Sequence, residues 1–207
     1  MTADVTLAEA AVADAPAIAA LHTANWRSTY RGLLPDAYLD GPLAEEHRAA
    51  WSLRVAAPLP GQALYVLRPD PQRDGGAQAA AAPRIAGFVC VLGGQDAEAG
   101  TLVENLHVAR THRGRGFGRR LLAAVAGWSA QHHPSDGVHL WALQGNAAAR
   151  RFYEGCGARV TRQGVWDSPA GVAVAELRYA WDSPMALRAA LDAVPRAGGH
   201  NDRLDRR

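Results

Sequence analysis

The sequence predicts a mixed α/β fold, one central sheet of about seven strands with helices on its flanks. Two observations carry most of that reading. The runs Gln62 to Leu67 and Arg84 to Leu92 suggest an antiparallel pair, and the second is apolar on both alternating faces, as a central strand should be. Between Thr101 and Leu143 a strand, a helix and a strand follow one another, an order that implies a parallel crossover. A sheet with both kinds of neighbour is mixed.

In chain order, Val5 to Leu7 reads as a short strand. Asp14 is placed to cap a helix with Pro16 in its first turn and Ile18 and Leu21 on one face. An irregular helical region with Trp26, Tyr30, Leu33, Leu34, Tyr38 and Leu39 is broken by Gly32, Pro35 and Gly41. Helical spacing resumes from Leu43 to Val55 and ends before Pro58. The Pro-, Gly- and Ala-rich stretch 68–83 is longer than a hairpin loop and is expected to be a mobile surface insertion. Thr101 to Val108 alternates as a strand with Leu102, Glu104, Leu106 and Val108 on one side. From Gly116 a helix carries Leu121, Leu122, Val125 and Trp128 at helical spacing and leads to the strand Val138 to Leu143. Asn146 is placed to cap the next helix, whose apolar face holds Ala149, Phe152, Tyr153 and Cys156, with Gly155 and Gly157 to end it. Strands near Ala158 to Gln163 and Val172 to Trp181 finish the sheet, and a short helix at Met185 to Val194 precedes a polar tail. The expected organisation is one domain over residues 1–182 and a mobile extension over 183–207.

Composition narrows the function. The chain has 207 residues, close to half apolar, with a formal charge of +2. This balance suits a globular domain and offers no general polycation for nucleic acid. No basic-then-apolar leader opens the chain and no apolar run reaches the length of a spanning helix, so the expectation is a cytoplasmic protein without a membrane partner. Cys90 and Cys156 read as buried thiols. His132 and His133 lack further ligands at suitable spacing, so no metal is expected.

The strongest local signal is RGRGFG, covering Arg113, Gly114, Arg115, Gly116, Phe117 and Gly118. It lies between a strand and a helix, where free amides and the helix dipole attract anions and glycines allow close approach. No Lys-Ser or Lys-Thr follows Gly118, which argues against a nucleoside triphosphate loop. The dinucleotide fingerprint would require glycine where Arg119 stands. A glycine-rich turn with solvated arginines remains open on these residues alone.

Two ordered motifs resolve the matter. HVARTHRGRGFGRRLL resembles motif A of the GNAT acetyltransferases, with Arg113, Gly116 and Gly118 filling its pattern. LWALQGNAAARRFYEGCGA resembles motif B, through Asn146, Ala149, Phe152, Tyr153 and Gly157. The usual phenylalanine after the last glycine is Ala158, and a proline often found before motif A is replaced at Thr111 or its neighbour. The resemblance spans residues 101–181, and Trp26 to Pro35 is similar to the start of one GNAT subgroup. It implies a mixed, mostly antiparallel sheet of about seven strands and acetyl-coenzyme A as co-substrate. Pantetheine would run along Leu106, His107 and Val108, the pyrophosphate would meet the amides of Arg113 to Gly118, and Arg119 would add a charged contact.

The same resemblance makes Tyr153 the general acid, although its place on an apolar face also suits a core tyrosine. Glu104 is the candidate base if its face is buried, since desolvation raises a carboxylate's proton affinity; a bulge or an arginine could instead remove it, with His107 in reserve. Asn146 could bond pantetheine, cap its helix, or do both. Trp26, Tyr30 and Arg31 are candidates for the acceptor pocket, which core packing of the tryptophan explains about as well. The leading expectation is an N-acetyltransferase that moves acetyl to a primary amine, of a small molecule or a peptide, by direct attack in a ternary complex. The alternative is a non-catalytic acyl-coenzyme A sensor or interaction module. Oligomeric state is open, a homodimer being allowed.

Overall fold

Strict two-residue alternation gives β3 two useful faces, and the rest of the molecule is layered on them. In the computed structural model, which describes residues 5–70 and 84–193, the strands are β1 (Val5–Glu9), β2 (Gln62–Pro69), β3 (Gly87–Asp96), β4 (Gly100–Val108), β5 (Val138–Leu143), β6 (Arg159–Asp167) and β7 (Ala173–Trp181). The helices are α1 (Ala15–Thr29), α2 (Asp36–Asp40), α3 (Leu43–Ala56), α4 (Phe117–His132), α5 (Ala147–Gly155) and α6 (Pro184–Ala193). Val89 and Val91 of β3 point to one side, where Leu121, Leu122 and Val125 of α4 meet Val103, Leu140 and Tyr179. Phe88 and Cys90 point to the other, against Ile18 of α1 and Trp51 and Val55 of α3. Each fully buried aliphatic side chain in these layers stabilises the fold by about 1.5–3 kcal/mol.

The seven strands lie in the order β1-β2-β3-β4-β5-β7-β6. All neighbours are antiparallel except β4 and β5, which run parallel. That pair is joined only at Thr101–Val138 and Leu102–His139, so the sheet splits from Val103 onward. A third apolar cluster, Leu34, Leu39 and Leu43 with Trp26, Tyr30 and Trp166, sits on the α1 side over the β6–β7 end.

Three local expectations change. Asp14 stands at the N-cap of α1, but its side chain makes no cap bond. It is buried and takes both guanidinium nitrogens of Arg68 at 2.7 Å, a charge pair stronger than a helix amide. Arg68 and Pro69, expected in the insertion, belong to β2; residues 71–83 lie outside the described residues. The start of the segment 183–207, expected to be mobile, is α6, which buries Leu187 and Leu191 in the main core. Residues 194–207 lie outside the described residues.

Candidate active site

Where β5 leaves β4, the edge of β4 from Val103 to Val108 loses its strand partner, and Leu106, His107 and Val108 retain only β3. The chain then turns into α4 through Arg113 to Gly116. Gly114 and Gly116 have φ of +77° and +79°, left-handed values that L side chains rarely adopt, and nothing lies within 4 Å of where their Cβ atoms would stand. From Gly114 to Arg119, no amide has a protein partner among the described residues; the first bond of the turn is Arg120 N to Gly116 O. The result is an open nest of donors at a helix N-terminus, suited to an anion.

The side chains around this nest are less available than the sequence implies. Arg113, though exposed, is held to α1 and β4, donating from Nη2 to Asn25 Oδ1 at 3.0 Å and from Nε to Val108 O at 3.4 Å. Arg119 donates to the carbonyl of Leu191, so its guanidinium fastens α4 to α6 instead of reaching the loop. Arg115 stays exposed. Phe117 is buried in the core. Gly118 is required by packing: a Cβ there would meet Phe152 Cζ at 2.8 Å, so α4 and α5 approach closely at that point.

Tyr153 follows Phe152 on α5, the helix that meets Gly118. Asn146 caps that helix, its Oδ1 accepting from Ala149 N at 3.1 Å. Tyr153 is buried, and among the described residues no group hydrogen-bonds its hydroxyl. Burial, with Tyr30 and Cys156 adding smaller effects, raises its pKa and keeps the phenol protonated. Tyr30, on α1, is itself pushed up to about 12 by burial. The two phenols are electrostatic neighbours, and Leu33 packs against Gly145, closing α1's end over the β5–α5 junction.

Glu104 is not where alternation put it. The register passes from Cys90–Asn105 to Val91–Val103, so Glu104 is the extra residue of a bulge. Leu106 and Val108 pack towards α4, whereas Glu104 pairs with Arg54 of α3 at 2.5 Å. Taking up a proton would break that pair. His107 faces α1, where its Nδ1 lies 3.4 Å from Asn25 Nδ2 and its ring is 4.5 Å from His22. Burial first, then His47 and Arg113, lowers its pKa to about 3, which leaves it neutral and a poor base.

The opposite side of the split is aromatic. Trp26 stands edge-on to Tyr30 at 5.2 Å and to Trp166 of β6 at 5.7 Å. Arg31 is spent on the surface, bridging Asp40 at 2.8 Å and Asp36 at 3.0 Å, which ties α1 to α2. Asn25, Trp141, Trp166 and Glu176 were not singled out in the sequence. A hint existed only for the last: in AVAELRYAW, Glu176 interrupts an apolar strand.

Among the described residues no cluster of three or more His, Cys, Asp or Glu is placed to hold a metal, and no helix is long and apolar enough to cross a membrane.

A split mixed sheet with a turn of free amides entering α4 at the split suits an acyltransferase. The chain belongs to the acetyltransferase (GNAT) family, whose model matches residues 26–158. No curated protein sequence matches significantly. Among solved structures, the chain is similar to the PaiA N-acetyltransferase of Thermoplasma acidophilum bound to coenzyme A, at 15% identity and TM-score 0.59, over 85% of this chain and 98% of that one. It is similar to a variant of the spermidine N-acetyltransferase SpeG of Vibrio cholerae, at 16% identity and TM-score 0.59, over 91% and 99% of the two chains. Arabidopsis thaliana NAA60 in complex with a bisubstrate analogue is similar at 18% identity and TM-score 0.56, over 86% and 97%. At such identities the likeness is one of fold.

Proposed function

We propose that this protein transfers acetyl from acetyl-coenzyme A to a primary amine by direct attack in a ternary complex. The observation that carries the reading is the run of unpartnered amides from Gly114 to Arg119, opening beside the unpaired edge of β4 and close to α5. These groups fit a pyrophosphate at the loop and an amide-bearing arm along Leu106 to Val108. Co-substrates of this kind bring an activated thioester; everything else falls to the chain.

Backbone donors of Gly114 to Arg119 hold the anion. Arg113 supports them indirectly, keeping the end of β4 joined to α1 through Asn25. Tyr153, held protonated by burial, supplies a proton to the departing sulfur. Trp26 and Tyr30 shape the approach of the amine. We assign no protein base, because Glu104 is paired with Arg54 and burial makes His107 too weak a base. The amine therefore gives its proton to solvent. The acceptor is a small-molecule or peptide amine, as the spermidine acetyltransferase and the bisubstrate complex of NAA60, both similar in fold, suggest.

Release of free thiol from acetyl-coenzyme A, followed across a panel of primary amines, tests the reading. Turnover with at least one amine, lost in Tyr153→Phe, supports it. Tight binding with no acceptor turned over would make the protein an acyl-coenzyme A sensor instead.

A further inference from the structure

On the α1 side of the sheet, beyond Trp26 and Trp166, one carboxylate stands alone. Glu176 of β7 faces Gly164 of β6 across the ladder, and Val174 faces Trp166, so Glu176 and Trp166 share a face of the sheet. Since Trp166 touches Trp26, this is the face on which the acceptor would approach. Trp141 of β5 reaches over Gly164 on the same face. A Cβ at Gly164 would stand 2.9 Å from Trp141 Cζ3 and 3.3 Å from Glu176 Oε1, so indole edge and carboxylate converge above one bare backbone position.

Among the described residues, the Glu176 carboxylate accepts no hydrogen bond and makes no ion pair. Arg178, two residues on, is drawn away, its Nε donating to Thr161 Oγ1 at 3.0 Å. Partial burial without a neighbouring cation raises the Glu176 pKa. A half-buried carboxylate beside an indole is a site for an ammonium group, through Coulomb attraction and the quadrupole of the ring. An anion would be repelled there, and an apolar group would leave the carboxylate without a partner.

We infer that Glu176 and Trp141 bind a second ammonium of the acceptor, so that the enzyme selects amines carrying a positive charge besides the group that is acetylated. This rests on the acetyl-transfer reading for its purpose, but its test needs no turnover. Calorimetric titration of the full chain with 1,4-diaminobutane and with butylamine measures the contribution of the second charge. The native protein should bind the diamine at least tenfold more tightly, and Glu176→Gln should abolish that difference while leaving coenzyme A affinity unchanged.

Gly164→Ala, on the edge strand and without backbone strain, should give the same loss by filling the space between the two side chains. It serves as the check should Glu176→Gln unfold. Equal binding of both amines by the native chain, or a diamine preference that survives both substitutions, would overturn the inference. Failure of acetyl transfer to every amine would instead sink the function proposed above and leave the diamine result standing.

Discussion

The two sides of the split sheet are made of different material. On the proposed donor side a single short segment, Gly114 to Arg119, presents its backbone, and what it requires is glycine at two left-handed positions. On the proposed acceptor side, Trp26 meets Trp166 and Trp141 converges with Glu176 over Gly164, residues of one helix and three strands placed by the register of β5, β6 and β7. The donor side should therefore tolerate changes of side chain and resist changes of backbone. The acceptor side should behave in the opposite way.

The largest effect is expected where the two sides meet. Tyr153→Phe should lower kcat by roughly a hundredfold or more while coenzyme A affinity, measured calorimetrically, stays the same. An equal loss in binding would mean that Tyr153 belongs to the donor side only. Next, Gly116→Ala should raise the coenzyme A Kd about tenfold, since the left-handed cap is strained and at least one charge-assisted amide contact is misplaced. Arg115→Ala, at the same loop, should change it far less.

A pH scan separates the buried histidines from both sides. Folding lowers His47 to about 4 and His107 to about 3, from an ordinary value of 6.5. Below about pH 6.5 the unfolded chain binds protons that the folded one refuses. For these groups stability is therefore complete above that value and falls as pH drops towards about 4 and below, and His22, stacked on His47 and also lowered by burial, extends the fall. Thermal unfolding should show it, with a shallower slope in His47→Gln. Gly118→Ala should cost about 1–3 kcal/mol of stability through Phe152, read as a lower Tm. Smallest of all, Arg31→Ala should leave Tm nearly unchanged, since the pairs it makes are exposed, and should leave acceptor KM unchanged. A raised KM would place Arg31 back in the pocket.

This contrast also explains what the sequence disclosed. Elements governed by local spacing were legible: β3 with its two apolar faces, the α4 stripe of Leu121, Leu122 and Val125, and the Asn146 cap all stand where periodicity placed them. So was the loop, because its chemistry is contiguous. Relations across the chain were not. Asp14 finds Arg68, 54 residues away, and gives up its cap. One bulge opposite Cys90 and Val91 turns Glu104 to Arg54, a register event that strand alternation cannot show. Gly118 matches a cofactor motif, yet what forbids a side chain there is Phe152 on a neighbouring helix. Glu176 and Trp141 belong to strands whose pairing had to be known first.

Backbone amide hydrogen exchange, measured with and without coenzyme A, reads the loop amides one by one. Gly114 to Arg119, unpartnered in the free protein, should become strongly protected when coenzyme A binds. Binding that leaves those amides exchanging freely, with protection gained elsewhere, would contradict this reading of the loop.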